Sequence, residues 1–269
     1  MKTGIIGYGS MGKMLLWKFS EAGVLSKEDL FVSNRTIEKL EEASSAAVIC
    51  KDNKDLVKNS DIVFVCVRPS DLKNVLCEIK DDLKPGALLV SLNGSVSFDL
   101  LSKITSRKMA KVIPSVTAEI NRSQTLICFN ELVDDQSKKM LIDLLSCMGD
   151  VIELPEREMG MGSELVSCMP GFIASIFDVL CCSGKKHTDI PMDQIVKMVL
   201  NTMSATAKLM LRSGMTFEEV VERVATKGGI TEEGTKVIYG MFPAAADTLF
   251  DKTLEKRRII SENAKKSFS

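Results

Sequence analysis

The chain has 269 residues, 45% apolar and 26% charged, with a formal net charge of −1 at pH 7. That balance excludes a general nucleic-acid surface and supplies enough apolar material for one large domain or two ordinary ones. No uninterrupted apolar run reaches about 18 residues, and a strand-like segment stands where a signal peptide would, so the expectation is a cytoplasmic protein with no membrane partner.

The first strand signal, Thr3–Ile6, feeds directly into Gly7-Tyr8-Gly9-Ser10-Met11-Gly12, and a helical stretch follows over 10–23. A strand, then Gly-x-Gly-x-x-Gly, then a helix is the fingerprint of dinucleotide binding. Gly7 permits the tight turn, Gly9 lets backbone approach a pyrophosphate, and Gly12 lets the helix pack close. Further strand signals fall at Leu30–Ser33, Ile62–Val67, Leu88–Leu92, Lys111–Pro114, Thr125–Phe129 and Asp150–Leu154. Helical stretches lie between several of them, at 36–46, 70–81, 97–105 and 134–147. Most strands lack polar alternation, as a sheet covered on both faces requires. The fold class expected is α/β: an N-terminal Rossmann domain, doubly wound and mostly parallel, over 1–155.

After residue 155 the strand signals stop. Apolar-periodic helical segments run at about 156–184, 192–213, 216–226 and 231–266, broken by Pro191, Ser213-Gly214 and Gly228-Gly229. Thr216 precedes Glu218 and Glu219 as a candidate N-cap. Residues 156–269 are therefore expected to form an all-helical domain. With 15 methionines in the chain, this domain is expected to bury apolar surface against a second copy, as a homodimer or higher homo-oligomer.

Eight cysteines include no Cys-x-x-Cys pair, and His187 is the only histidine. A Cys/His metal site is not expected, and cysteines within Val-Cys-Val and Ile-Cys-Phe read as reduced core thiols.

Cofactor choice is read after the second strand, where an acid would bind a ribose 2′-hydroxyl. Here Ser33 is followed by Asn34-Arg35-Thr36. Arg35 with polar neighbours suits a 2′-phosphate and NADP(H), while the same residues also serve as a turn and cap. Val67-Arg68-Pro69 ends the next strand in the nucleotide crevice, and Asn93-Gly94 and Pro114-Ser115 point the same way. Near the far end, Thr226-Lys227-Gly228-Gly229-Ile230-Thr231 makes a bare loop before a helix. Such a loop can hold a carboxylate on its N–H groups. A plain helix–helix turn capped by Thr231 fits the same residues.

Across nearly the whole chain these motifs resemble the pyrroline-5-carboxylate reductase family. The Gly-rich start, the 67–69 turn, the 113–115 segment, the 226–231 loop and the Asp52-Asn53 pair carry the likeness. The resemblance implies hydride transfer from NAD(P)H to the C=N bond of a cyclic imine, giving proline. It places Asn53 near the cofactor ribose and Thr231, as the catalytic threonine, near the ring nitrogen. Thr226, Gly228, Gly229 and Ile230 would line the substrate carboxylate. Val166–Phe172 keeps only the proline of the family's Ser-Gly-Ser-Gly-Pro-Ala-Tyr, and Thr226-Lys227 replaces Ser-Pro. Several departures resemble a divergent branch, the late-competence ComER-type proteins, which opens a non-catalytic, nucleotide-binding regulatory role as the alternative. A hydroxy-acid dehydrogenase fits less well, because 158–182 contains no lysine.

Overall fold

Eight strands form one sheet: β1 (Thr3–Ile6), β2 (Leu30–Ser33), β3 (Val48–Ile49), β4 (Ile62–Val65), β5 (Leu88–Ser91), β6 (Lys108–Ile113), β7 (Ser123–Phe129) and β8 (Gly149–Glu153). The order is β3-β2-β1-β4-β5-β6-β7-β8, and the chain reverses its direction of travel between β1 and β4. Every neighbouring pair is parallel except β6–β7. This computed structural model describes residues 1–268. Every residue of β1, β2, β4 and β5 is buried, which is why those strands read as continuous apolar runs.

Helices cover both faces: α1 (Ser10–Glu21), α2 (Asn53–Asn59), α3 (Pro69–Ile79), α4 (Phe98–Ser102) and α5 (Asp135–Leu145). One core gathers Leu15, Leu16 and Phe19 of α1 against Phe64 and Leu141. Phe19 and Phe64 tilt together with ring centroids 5.6 Å apart. The other joins Leu56, Leu72 and Leu76 to Val63 and Leu89.

One local expectation is corrected. The stretch 36–46 is a pair of 3₁₀ turns, Ile37–Leu40 and Glu42–Ser45, rather than an α-helix. Ser44 and Ser45 hydroxyls donate to the carbonyls of Glu41 and Glu42, a local alternative that competes with helix formation. Unforeseen, by contrast, are β3 and α2. Asp52 starts α2 by accepting the Asp55 N–H at 2.7 Å, an N-cap bond that a seven-residue helix needs.

Helical structure resumes with α6 (Met159–Ser163), a π-turn (Glu164–Cys168), α7 (Met169–Lys185), α8 (Met192–Ser213), α9 (Phe217–Val224) and α10 (Ile230–Phe268). Contacts divide the chain into two units: Met1–Cys168 with the residues from Leu254 onward, and Met169–Thr253. The division falls past residue 155 because the chain after β8 stays fastened to the sheet. Buried Lys111 on β6 pairs with Glu156 at 2.9 Å, and Glu156 also accepts the Phe98 N–H at 2.8 Å. Ala264 and Phe268 at the end of α10 lie in the Leu72–Leu76 core, so the last turns of that helix belong with the sheet.

Within the second unit α7 and α8 pack together. Thr216 and Glu219 form a reciprocal capping box at α9, so Thr216 is the N-cap its position suggested. Large apolar side chains remain uncovered, Leu211 at 86%, Phe217 at 79% and Met241 at 74% exposure. The helical stretch Glu156–Lys185 is long and apolar enough to cross a membrane by length and composition alone, although Asp178 interrupts it.

Phe19→Ala is expected to cost about 3–5 kcal/mol, read as a lower denaturant midpoint at unchanged slope. At the start of α5, the Lys108 ammonium and the Ser137 N–H hold the Asp134 carboxyl well below the usual carboxylate range. Its folded-state value is depressed, so its stabilisation is complete above about pH 4 and is lost as pH falls toward the folded value. Asp134→Asn should flatten the stability–pH curve on that acid side, and an unchanged slope would refute this.

Candidate functional site

The carboxyl ends of β1, β2 and β4 open into a cavity of about 580 Å³. It sits at the reversal of strand order, where doubly wound sheets take their ligands. Its wall brings together Gly7, Tyr8, Gly9, Asn34, Arg35, Thr36, Asn53, Val67 and Arg68. Ser10, Met11, Gly12 and Pro69 are not on that wall. Ser10 and Met11 open α1, Gly12 is buried beneath the turn, and Pro69 starts α3.

The turn is built by close backbone approach. Gly7 has φ +95°, a left-handed conformation that side chains resist. A Cβ on Gly12 would lie 2.0 Å from the Gly7 carbonyl oxygen, so no other residue fits without shifting α1. A Cβ on Gly9 would meet nothing within 4 Å. That open side is where a pyrophosphate would approach.

Hydrogen bonds decide which N–H groups stay free. Gly7 donates to Ser33 O at 2.8 Å, and Tyr8 donates to Asn34 Oδ1 at 3.1 Å. Asn34 in turn donates to Thr36 O at 2.9 Å. Asn34 is thus a brace between two loops, with its acceptor and one donor engaged. Tyr8 faces inward, its ring buried and its hydroxyl accepting from Trp17 at 3.1 Å. α1 has no side-chain cap and no acid in its first turn, which leaves its first N–H groups and its positive dipole end for an anion.

Arg35 shares the cavity wall with Lys39 and Lys51, and among the described residues none of the three is in an ion pair. Lys51 escaped the sequence reading because β3 did, and Lys39 lies in the 3₁₀ turn Ile37–Leu40. Parallel pairing of Val32 with Ile49 carries Lys51 to the level of the Asn34–Arg35 turn. Ser33 donates to Asn53 at 2.8 Å, and Asn53 donates to Glu78 at 3.0 Å, so Asn53 is held in the wall from both sides. Burial pushes the Cys66 thiol up to about 12, which keeps this wall residue protonated and without nucleophilic character.

In the helical unit, Thr226, Gly228, Gly229, Ile230 and Thr231 lie at the entry to α10, and the loop is not bare. Gly229 donates to Thr226 O at 2.8 Å. Gly228, at φ +74°, donates to Glu232 Oε2 at 2.6 Å. A carboxylate of the chain itself therefore occupies one of the N–H groups read as a carboxylate seat. α10 begins at Ile230, so Thr231 lies inside its first turn and the capping acid is Glu232. Ile230 is 95% exposed.

A Rossmann sheet with this open, anion-ready turn defines a dinucleotide-binding domain. Residues 2–94 match the family model described as NADP oxidoreductase coenzyme F420-dependent, and residues 156–259 match pyrroline-5-carboxylate reductase dimerisation. The chain is 30% identical to pyrroline-5-carboxylate reductase 3 of Bacillus subtilis over 98% of both chains. It is 25% identical to ComE operon protein 4 of the same organism, covering 88% of each. In fold it is similar to the Plasmodium falciparum reductase crystallised with NADP bound, with TM-score 0.84 at 22% identity over 100% of this chain and 98% of that one. The Streptococcus pyogenes enzyme gives TM-score 0.85 at 22% identity, over 96% of this chain and 98% of that one. The chain belongs to the pyrroline-5-carboxylate reductase family and is an NAD(P)H-dependent oxidoreductase.

Gly12→Ala is expected to abolish NADPH binding, titrated through the fluorescence of Trp17, the only tryptophan. Retained affinity would show that the turn tolerates displacement of α1.

Proposed function

We propose that this protein reduces the C=N bond of a cyclic imine carboxylate with NADPH, 1-pyrroline-5-carboxylate to proline being the leading reaction, and that it works as a homodimer in the cytoplasm. The observation that carries the reading is the cavity at the β1/β4 reversal, with its uncapped α1 and the unpaired Arg35, Lys39 and Lys51 on its wall, in a chain of this family. Bound there, NADPH supplies hydride to the imine carbon, and the nitrogen keeps the C=N electron pair as the ring amine. What the protein supplies is holding and orientation. Gly7, Gly9 and the start of α1 at Ser10 and Met11 would hold the pyrophosphate, and Asn53, Val67 and Arg68, with Pro69 starting α3 behind them, would bound the ribose side. Gly12 gives the close helix packing, Tyr8 and Asn34 fix the turn, and Arg35 with Thr36 meets the 2′-phosphate. Thr231, with the neighbouring 226–230 loop, is the candidate for the imine nitrogen. A protonated imine is already electrophilic, so no nucleophilic side chain is required.

Likeness to the dimerisation family over 156–259 and the uncovered Leu211, Phe217 and Met241 support assembly with a second copy. The alternative, a nucleotide-binding regulator without turnover, draws on the ComE operon relative and on the self-occupied Gly228 amide.

The assay is loss of NADPH absorbance with 1-pyrroline-5-carboxylate. Turnover supports the reductase, whereas tight NADPH binding with no turnover across a panel of cyclic imines establishes the regulator. Arg35→Ala should raise the NADPH Kd about 10–100-fold, the scale of one charge-assisted contact, with a far smaller change for NADH. Equal losses for the two cofactors would rule out a 2′-phosphate role.

A further inference from the structure

Tyr8 stands at the first variable position of the Gly7–Gly12 turn, where the fingerprint itself asks for no particular side chain. Its ring is 7% exposed and packs in the same core as Leu40 and Ala43, which belong to the two 3₁₀ turns after β2. The hydroxyl is a junction. It accepts from Trp17 Nε1 at 3.1 Å and meets the carboxylate of Glu42. Glu42 also pairs with Lys13 of α1 at 2.6 Å.

The direction of the Tyr8–Glu42 bond follows from the charges around it. Burial pushes the Tyr8 phenol above its ordinary value, so the hydroxyl keeps its proton and donates. The Lys13 ammonium, and after it the Tyr8 hydroxyl, hold the Glu42 carboxyl below the usual carboxylate range. Glu42 is therefore the charged acceptor, the stronger form of such a bond.

The two attachments of Tyr8 bracket one segment. Its backbone N–H holds Asn34 Oδ1 at 3.1 Å, and its hydroxyl holds Glu42 at the start of the second 3₁₀ turn. Between them lie Arg35 and Lys39, the cations this segment contributes to the cavity wall. Hydrogen bonds in 3₁₀ turns are poorer than those of an α-helix, so the placement of both cations depends on how the ends of the segment are held. Lys51 arrives separately, after β3.

We infer that Tyr8 is a positioning residue for cofactor choice: through its N–H and its hydroxyl it holds Arg35 and Lys39 where a 2′-phosphate meets them. The inference rests on the reading of the 34–36 turn as the 2′-phosphate seat.

The test is calorimetric measurement of NADPH and NADH Kd on the whole protein. Tyr8→Phe keeps the ring and the backbone N–H and removes only the junction. It should lower the ratio of the NADH Kd to the NADPH Kd about 3–10-fold, the scale of one hydrogen bond. Glu42→Ala, at a half-exposed position, should lower the ratio in the same direction. Simple charge repulsion predicts the opposite, because removing an anion near a phosphate seat strengthens phosphate binding. A ratio that rises in Glu42→Ala, or that stays unchanged in Tyr8→Phe because both cofactors weaken together or neither does, overturns the inference. Arg35→Ala separates this inference from the reading beneath it. If it shifts the ratio and Tyr8→Phe does not, the Tyr8 role alone falls; if neither shifts it, the 2′-phosphate seat falls and the Tyr8 role with it.

Discussion

The Gly7 carbonyl and the Gly12 Cα are so close that even a methyl group between them would sit at 2.0 Å. Much of the cofactor site depends on that approach. It brings the first turn of α1 directly over the end of β1, so the helix presents its free N–H groups at the strand-order reversal. It also seats Leu15, Leu16 and Phe19 on the sheet, where they meet Phe64 of β4. Core packing and anion binding are thereby made by one helix in one position. A shift that relieved crowding at Gly12 would loosen both.

The N-termini of α1 and α10 are treated in opposite ways. α1 has neither cap nor nearby acid, and its dipole end is left unneutralised beside a cavity whose wall carries the unpaired Arg35, Lys39 and Lys51. α10 carries Glu232 and Glu233 in its first turn, and one of them already sits on the Gly228 amide. A carboxylate bound by its own helix offsets the dipole locally, so an incoming anion gains less there than at a vacant amide. Electrostatics thus favours the cofactor end of the molecule as the primary anion site.

What was legible in the sequence followed from periodicity and from glycine. Continuous apolar runs located β1, β2, β4 and β5, and the Gly7–Gly12 spacing located the turn. What was not legible depended on partners far along the chain. A two-residue strand such as β3 has no periodicity to detect, and its loss hid Lys51 as a wall residue. Asn34 reads as a phosphate donor until its oxygen is found on the Tyr8 amide, 26 positions away. The loop at 226–231 looked bare because a carboxylate one helical turn later, Glu232, folds back over it. Composition shows such an acid; only geometry shows where its oxygen goes.

The return of α10 explains why the unit boundary could not be read from the end of the strands. Two ion pairs with one buried partner each, Lys111–Glu156 and Arg257–Glu164, fasten the segment after β8 and the last turns of the chain to the same sheet. Buried pairs contribute little net stability against an apolar replacement, yet breaking one is costly because it strands a charge. Their value lies in geometry. They fix where residues 156–168 and the end of α10 lie over the carboxyl ends of the strands.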